Sequence, residues 1–351
     1  MKAAFIGLIG SGKSTLLAAV SGRKYSNTGA AQIEEIMVPV PDARLDWLYG
    51  LYKPRKTVRA TIDCLDVPGL SFADDHTRAS ARKILGNVRT SDMLVIVIRA
   101  HGGGGVKAEP VKELSDLMTE LLLADLELVE TRIENLQKQI AKPSKEQTKQ
   151  KAELDLQLKL RGALESEKPL KTVVKTADEN EIVKPLGFFT LKPIVVVFNT
   201  AEDNAAQQFD TAGIIDSSVP TISVCAEIEY EISQLDAESK AEFMKDMGLS
   251  EPAANKFVQG CYSALGLINF FTAGEDENRA WSIPVGTTAL DAAGKIHSDI
   301  KRGFIRAETM SYNDLKQLGD EKAVKAAGKM RLEGKTYIVQ DGDIMNFRFN
   351  V

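Results

Sequence analysis

KAAFIGLIGSGKSTLLAAV, residues 2–20, is the stretch that decides how the rest of the chain reads. Its first part, KAAFIGLI, is a short apolar run with the character of a buried strand. KSTLLAAVSG follows with a helical pattern that Gly22 can stop. Between them, Gly7 to Ser14 fit G-x-x-x-x-G-K-[ST] in full, in the strand-to-helix context that a phosphate loop requires. Backbone N–H groups of such a loop, with the N-terminus of the next helix, wrap phosphate oxygens. Gly7, Gly10, Ser11, Gly12, Lys13, Ser14 and Thr15 are therefore expected to line a nucleotide's phosphates. Side chains at Gly10 or Gly12 would block that approach. Lys13 places a charge on the β- and γ-phosphates, which makes it a catalytic candidate. Ser14 offers a hydroxyl to Mg²⁺.

A second apolar strand, TVRATIDCLDV, ends in Asp66-Val67-Pro68-Gly69, a D-x-x-G tetrapeptide. Asp66 is expected to hold Mg²⁺ through water, and the Gly69 N–H to meet the γ-phosphate. Leu70 stands where many GTPases carry the glutamine that orients the attacking water, a task no apolar side chain performs. His101, which opens HGGGGV, is the candidate for the missing group; a solvated loop histidine is the competing reading.

The base-reading loop is expected in VVVFNTAED, residues 195–203. A guanine-specific loop reads Asn-Lys-x-Asp, and its Asp carboxylate accepts the N1–H and N2–H₂ donors of the base. Here Thr200 replaces the Lys, and Glu202 replaces the Asp with a side chain one methylene longer. A displaced carboxylate loses that bidentate contact, which is worth about 1–3 kcal/mol of discrimination by analogy with base-edge reading. Adenine is then tolerated or preferred. Asn199 is expected to hold the purine edge or to brace the phosphate loop, and Cys225-Ala226 in TISVCAEIE to pack against the base.

The wider chain fits this frame. Its 351 residues exceed what one core usually serves, so two or three domains are expected. Net charge is −5, which excludes a chain-wide basic field for nucleic acid. Cys64, Cys225 and Cys261 lie in apolar contexts without CxxC spacing and read as reduced core residues. There is neither a signal-like start nor a run of about 18 apolar residues, so the protein is read as soluble and cytoplasmic. SDMLVIVIRA, PIVVVFN and TISVCA add further strands to a doubly wound, mainly parallel sheet. Leu122, Leu126, Val129, Ile133, Leu136 and Ile140 alternate spacings of four and three, a coiled-coil seam. KPS at 142–144 interrupts it, and Leu156, Leu160 and Ala163 continue on a second helix, making an antiparallel hairpin arm. The last 85 or so residues alternate strand, helix and strands, as in a β-grasp module. There Thr287 or Thr288 caps the helix, and KTYIVQDGDIMNFRFNV is read as a hairpin turning at Asp341-Gly342.

Taken together these residues resemble the YchF-type Obg-like ATPases. FFTAGEDENRAW, AAGKIHSDIKRGFIRAET, AGKMRLEGKTYIVQDGD and MNFRFNV are similar to that family's TGS domain, and VPDARLD, LGNVR, LADLE and SVCAEIE also match. The resemblance covers nearly the whole chain. It implies binding of ATP as well as GTP with Mg²⁺, slow hydrolysis, and contact with the ribosome or a subunit. Leu70 agrees with the apolar residue that the family carries at the water-positioning site. Family members carry a loop histidine after the VIVIRA strand, whereas His101 falls several residues earlier. Ile9-Gly10-Ser11 replace the family's Pro-Asn-Val, which removes a potential monovalent-cation ligand. In the shortened first switch Ala30 aligns with the Mg²⁺-binding Thr, with Thr28 as the alternative. SFADDHTRASARKILGN has lost most second-switch glycines and reads as helical.

The expected organisation is a P-loop NTPase domain at 1–111 and 190–267, a helical insertion at 112–189 and a TGS domain at 268–351. The expected activity is slow ATP or GTP hydrolysis in a ribosome-associated switch. A nucleotide-binding scaffold with little turnover, or an RNA- or protein-binding module with a vestigial pocket, are the other readings. Arg279, Lys301, Arg302, Arg306 and Lys335 are candidates for a basic face toward rRNA or protein. Neither membrane nor DNA is expected as a partner.

Overall fold

The computed structural model describes residues 1–24, 32–102, 108–141, 145–204, 207–246 and 251–350. Ala30, Thr28, the KPS break and residues 103–107 of the glycine loop lie outside the described residues. In chain order the elements begin with β1 (Lys2–Ile6), α1 (Lys13–Ser21), β2 (Glu34–Pro39), α2 (Ala43–Tyr52), β3 (Lys56–Val58) and β4 (Thr61–Asp66). Next come α3 (Asp75–Val88), β5 (Met93–Arg99), α4 (Pro110–Ile140), α5 (Gln147–Glu165), α6 (Ala177–Val183), β6 (Ile194–Asn199) and β7 (Thr221–Val224). Then follow α7 (Ala226–Gln234), α8 (Ala237–Asp246), α9 (Ala253–Ala264), β8 (Leu267–Thr272) and β9 (Glu277–Pro284). The chain closes with α10 (Ala289–Ile296), α11 (Ser298–Arg302), β10 (Phe304–Ser311), α12 (Tyr312–Leu318), α13 (Glu321–Ala326), β11 (Arg331–Glu333) and β12 (Asp343–Phe349).

Contacts divide the chain into two units, residues 1–36 with 63–250 and residues 37–62 with 251–351. The first holds a sheet in the order β2-β4-β1-β5-β6-β7. β1 is parallel to both β4 and β5, and β6 to both β5 and β7. The all-apolar runs make sense there, because helices cover both faces. Register carries the functional consequence. Phe5 lies beside Asp66, Ile6 beside Ile96, and Arg99 beside Asn199, so the carboxyl ends of these strands share one edge. In open α/β sheets ligands bind at that edge.

α4 serves two cores. Its Leu114, Leu117, Leu121 and Ala124 pack with Ile96, Ile98, Leu85 and Phe198 against the sheet. Its Val129 and Ile133 pack with Leu156, Leu160 and Ala163 of α5. Arg132 pairs with Glu153 at 2.6 Å, and Gln150 donates to Gln139, so α4 and α5 run antiparallel, as the seam predicts. α3 is helical, as its glycine-poor sequence predicts, and starts on a reciprocal Asp74–Thr77 capping box.

The second unit holds a sheet in the order β11-β10-β12-β8-β9-β3. β8 and β9 are antiparallel, β12 runs parallel to β8, and α10 packs Ala289, Ala292 and Ala293 against Phe270, Ile283 and Phe347. This is the β-grasp arrangement, and Thr288 is the residue that caps α10. Two expectations change here. TVRATIDCLDV is not one strand: β3 joins β9 in this sheet, whereas β4 joins β1. KTYIVQDGDIMNFRFNV is not a hairpin either. Its first half bonds to the start of α10, through Ala289 N to Tyr337 O and Val339 N to Thr287 O, and β12 pairs with β10.

The unit boundaries also differ from the expected ones, since residues 37–62 and 251–267 group with the C-terminal strands. Arg44 explains part of this. Its guanidinium donates to Asp42 and, at 2.7 Å, to Asp341, and it stacks 5.1 Å from the Phe271 ring centroid.

Candidate functional site

The strand β1 ends at Ile6, and the next six residues turn back before α1 begins at Lys13. Gly10 and Ile9 are exposed at the tip, Gly7 and Ser11 are buried at the base, and Ser14 and Thr15 open the helix half-buried. Gly12 has φ +91°, and a Cβ there would lie 2.1 Å from Asn199 Nδ2. Conformation and packing both require glycine. Lys13 is 5% exposed. Its Nζ donates to Gly7 O at 3.0 Å, Leu8 O at 3.1 Å and Ser11 Oγ at 3.4 Å. Burial pulls its pKa from 10.5 down to about 8, against the opposing charges of Asp66 and Glu113.

Asp66, 5% exposed, ends β4 beside the loop. Burial pushes its pKa up, against the lowering influence of the neighbouring Ser14 hydroxyl and the Lys13 charge. Its Oδ1 is buried without a hydrogen-bond partner among the described residues. An oxygen so placed is costly unless something binds it. Hydroxyl and carboxylate together form a hard oxygen donor set that suits Mg²⁺. Gly69 sits tight against the loop, where a Cβ would come 2.7 Å from Ile9 Cα. Leu70, 1% exposed, is held by its main chain: its N donates to Gly7 O at 3.0 Å and its O accepts Ile9 N at 3.1 Å.

Asn199 closes β6 and reaches across the site. Its Nδ2 donates to Ser11 O at 3.1 Å, and its Oδ1 accepts Ala226 N–H at 3.0 Å. These two bonds tie the phosphate loop to the turn that precedes α7. Cys225, buried, precedes α7 and is its N-cap. Thr200 is 1% exposed, with its N bonded to Val224 O, and Glu202 lies exposed in a 3-10 turn, Glu202–Asn204. His101 is half-buried two residues beyond β5, with Nδ1 at 3.4 Å from Gly102 O, and no bond joins it to Lys13 or Asp66 among the described residues.

Glu113 is the residue that sequence reasoning missed. It lies in the first turn of α4, accepts Arg99 N–H at 3.4 Å, and acts electrostatically on Lys13. Only its place after the glycine loop could have signalled it, because α4 was read wholly as arm.

Comparison with known proteins agrees with this geometry. Residues 2–149 match the family described as 50S ribosome-binding GTPase. Residues 267–350 match the C-terminal YchF-GTPase family, described as a protein of unknown function. The ribosome-binding ATPase YchF of Bacillus subtilis is 38% identical, with all of both chains covered. The chain belongs to the YchF family of Obg-like ATPases. Obg-like ATPase 1 of Caenorhabditis elegans is 34% identical, covering all of this chain and 92% of that protein. Among solved structures, the Schizosaccharomyces pombe YchF GTPase superposes with a TM-score of 0.86 at 30% identity, over 99% of this chain and 97% of that one.

Family membership also accounts for two short matches that had no evident role in sequence. LGNVR supplies Arg89 and LADLE supplies Asp125, which bond at 2.7 Å. The expected basic face is largely neutralised. Lys301 pairs with Asp291, Arg302 with Asp299, and Arg279 with Glu277 while stacking on Trp281. Arg306 and Lys335 are exposed. No described helix is long and apolar enough to cross a membrane.

Proposed function

We propose that this chain is a Mg²⁺-dependent purine-nucleotide hydrolase that accepts ATP at least as well as GTP, turns over slowly, and works as a ribosome-associated switch in the cytoplasm. The observation that carries the reading is Asp66: a buried carboxylate that feels the phosphate-loop Ser14 hydroxyl and the buried Lys13, with one oxygen unpartnered among the described residues. The curated relatives named ribosome-binding ATPases support the partner and the reaction class.

Lys13 exchanges its carbonyl partners Gly7 and Leu8 for phosphate oxygens, so its charge is delivered where charge develops in the transition state. Ser14 and Asp66 would hold Mg²⁺, which neutralises negative charge between the β- and γ-phosphates. The main-chain amides of Gly10 to Thr15 receive the phosphates, and Asn199 keeps that loop fixed against the base-binding turn. Gly69, packed tightly against Ile9 of the loop, is proposed to offer its N–H to the γ-phosphate. Leu70, buried and apolar, orients no water, which accounts for slow hydrolysis. His101 is the residue proposed to compensate. Glu202, exposed and one methylene long for guanine, is proposed to relax base choice. The helical arm and the TGS domain are the proposed contacts to rRNA or ribosomal protein.

The same Leu70 favours a second reading, a nucleotide-binding scaffold that barely hydrolyses. Phosphate release by purified protein decides between them. Turnover above a Lys13→Ala control supports the switch. Binding of labelled nucleotide without such turnover supports the scaffold, and loss of binding as well leaves neither.

A further inference from the structure

Two junctions tie α3, the helical part of the second-switch segment, to α4. At its far end Arg89 donates to Asp125 Oδ1 and to Ala124 O, both at 2.7 Å, and its guanidinium lies 4.2 Å from the Phe189 ring centroid. Asp125, wholly buried, also accepts Phe189 N–H, Thr190 N–H and the Thr190 hydroxyl. That end is a fixed anchor. At the near end Glu120 of α4 carries two arginines: Arg78 at 3.2 Å and Arg82 at 2.9 Å. Arg82 also donates to the Glu120 carbonyl and lies 3.7 Å from Glu127. Arg78 reaches further. Its second nitrogen donates to Phe72 O at 3.2 Å, and it also lies 3.7 Å from Asp75.

Phe72 is three residues past Gly69. One guanidinium therefore clips the main chain of the second switch to a carboxylate on the helix that becomes the arm. The planar fork of arginine is what allows both bonds at once. The near junction is the looser one, since the Arg78 side chain is 44% exposed whereas Asp125 is fully enclosed.

We propose that Arg78 and Glu120 are positioning residues for hydrolysis: Glu120 orients Arg78, and Arg78 sets the main chain that places Gly69 against the γ-phosphate. This role presupposes the hydrolase reading above. It gives the arm a direct handle on the rate, because anything that tilts α4 moves Glu120.

Steady-state kinetics of the full chain with Mg-ATP test it. Arg78→Gln and Glu120→Gln are each expected to lower kcat on the order of tenfold, as misplacement near reacting groups does. KM should stay within twofold, because neither residue touches the phosphate or base loops. The double variant should be no slower than the slower single, since both act through one clip. Arg78→Lys keeps the charge but lacks the fork, and should fall between. Glu127→Gln, which loosens only Arg82, should leave kcat unchanged. If Glu120→Gln fails to fold, Arg78→Gln, altering a half-exposed side chain, carries the comparison. A kcat within twofold of the parent in folded single variants, or losses that multiply in the double, would overturn the role. Absence of turnover in the parent above Lys13→Ala would remove both this role and the hydrolase reading.

Discussion

Asn199 Nδ2 donates to the main-chain oxygen of Ser11 across 188 residues of sequence, at 3.1 Å. With its bond to Ala226 N–H, one amide side chain couples the phosphate loop to the turn that starts α7. Asn199→Ala removes both bonds and opens space beside Gly12. Loss of one or two buried hydrogen bonds costs roughly 1–3 kcal/mol. Affinity for Mg-ATP and Mg-GTP should fall together, by about ten- to a hundredfold. Calorimetry with both nucleotides checks this. Loss confined to one of them would mean that Asn199 reads the base instead of bracing the loop.

Lys13 gives a pH dependence. Its folded pKa is lowered by burial to about 8, and bound phosphates raise it again. Below pH 8 the lysine is already charged and binding takes up no proton. Above pH 8 binding must protonate it, so affinity should fall as pH rises, by at most about tenfold per unit. Titrations at pH 7, 8 and 9 in buffers of different ionisation enthalpy should show proton uptake appearing above pH 8. The same shift means that the unfolded chain holds more protons between pH 8 and 10.5, so this group's contribution to stability rises with pH across that window.

Asp125 should dominate the stability of the α3–α4 junction. Replacing it with Ala leaves Arg89 without its buried acid and three further donors without an acceptor. Breaking a buried pair from one side costs about 3–5 kcal/mol. Urea unfolding of the nucleotide-free protein should show an unfolding free energy lower by that amount. A loss below 1 kcal/mol would mean that the carboxylate is not the anchor.

Gln157 should behave in the opposite way. It is wholly buried on α5, and both of its amide atoms lack partners among the described residues. Exchanging an unsatisfied buried amide for an apolar group of similar shape removes a penalty of about 1–3 kcal/mol. Gln157→Leu should therefore raise the unfolding midpoint. Destabilisation would indicate a water or partner held at that amide.

Much of this molecule was legible in sequence because its signals are local. Gly12, Lys13 and Ser14 announce themselves by spacing, and the apolar runs of β1, β5 and β6 admit few alternatives. The arm was legible through the 3-4 spacing of Val129, Ile133 and Leu136. The misreadings have a common physical cause, since each turned on a partner distant in sequence. β3 pairs with Glu277–Arg279 more than two hundred residues away, and nothing in TVRATIDCLDV marks the break. Residues 335–339 bond to the start of α10, so the Asp341-Gly342 turn closes no hairpin. Glu113 and Glu120 became visible only when α4 was seen to pack its first turns on the sheet.

Base choice is the sharpest claim. Thr200 is enclosed, so a lysine there would bury a charge; Glu202→Asp alone is the cleaner variant and should shift preference toward GTP. The most direct measurement is calorimetric titration of the purified chain with Mg-ATP and with Mg-GTP at one pH and salt concentration. The expected result is that Mg-ATP binds at least as tightly as Mg-GTP. A Mg-GTP affinity tenfold higher, about 1.4 kcal/mol, would contradict the reading of Glu202, and no heat from either would contradict the phosphate site itself.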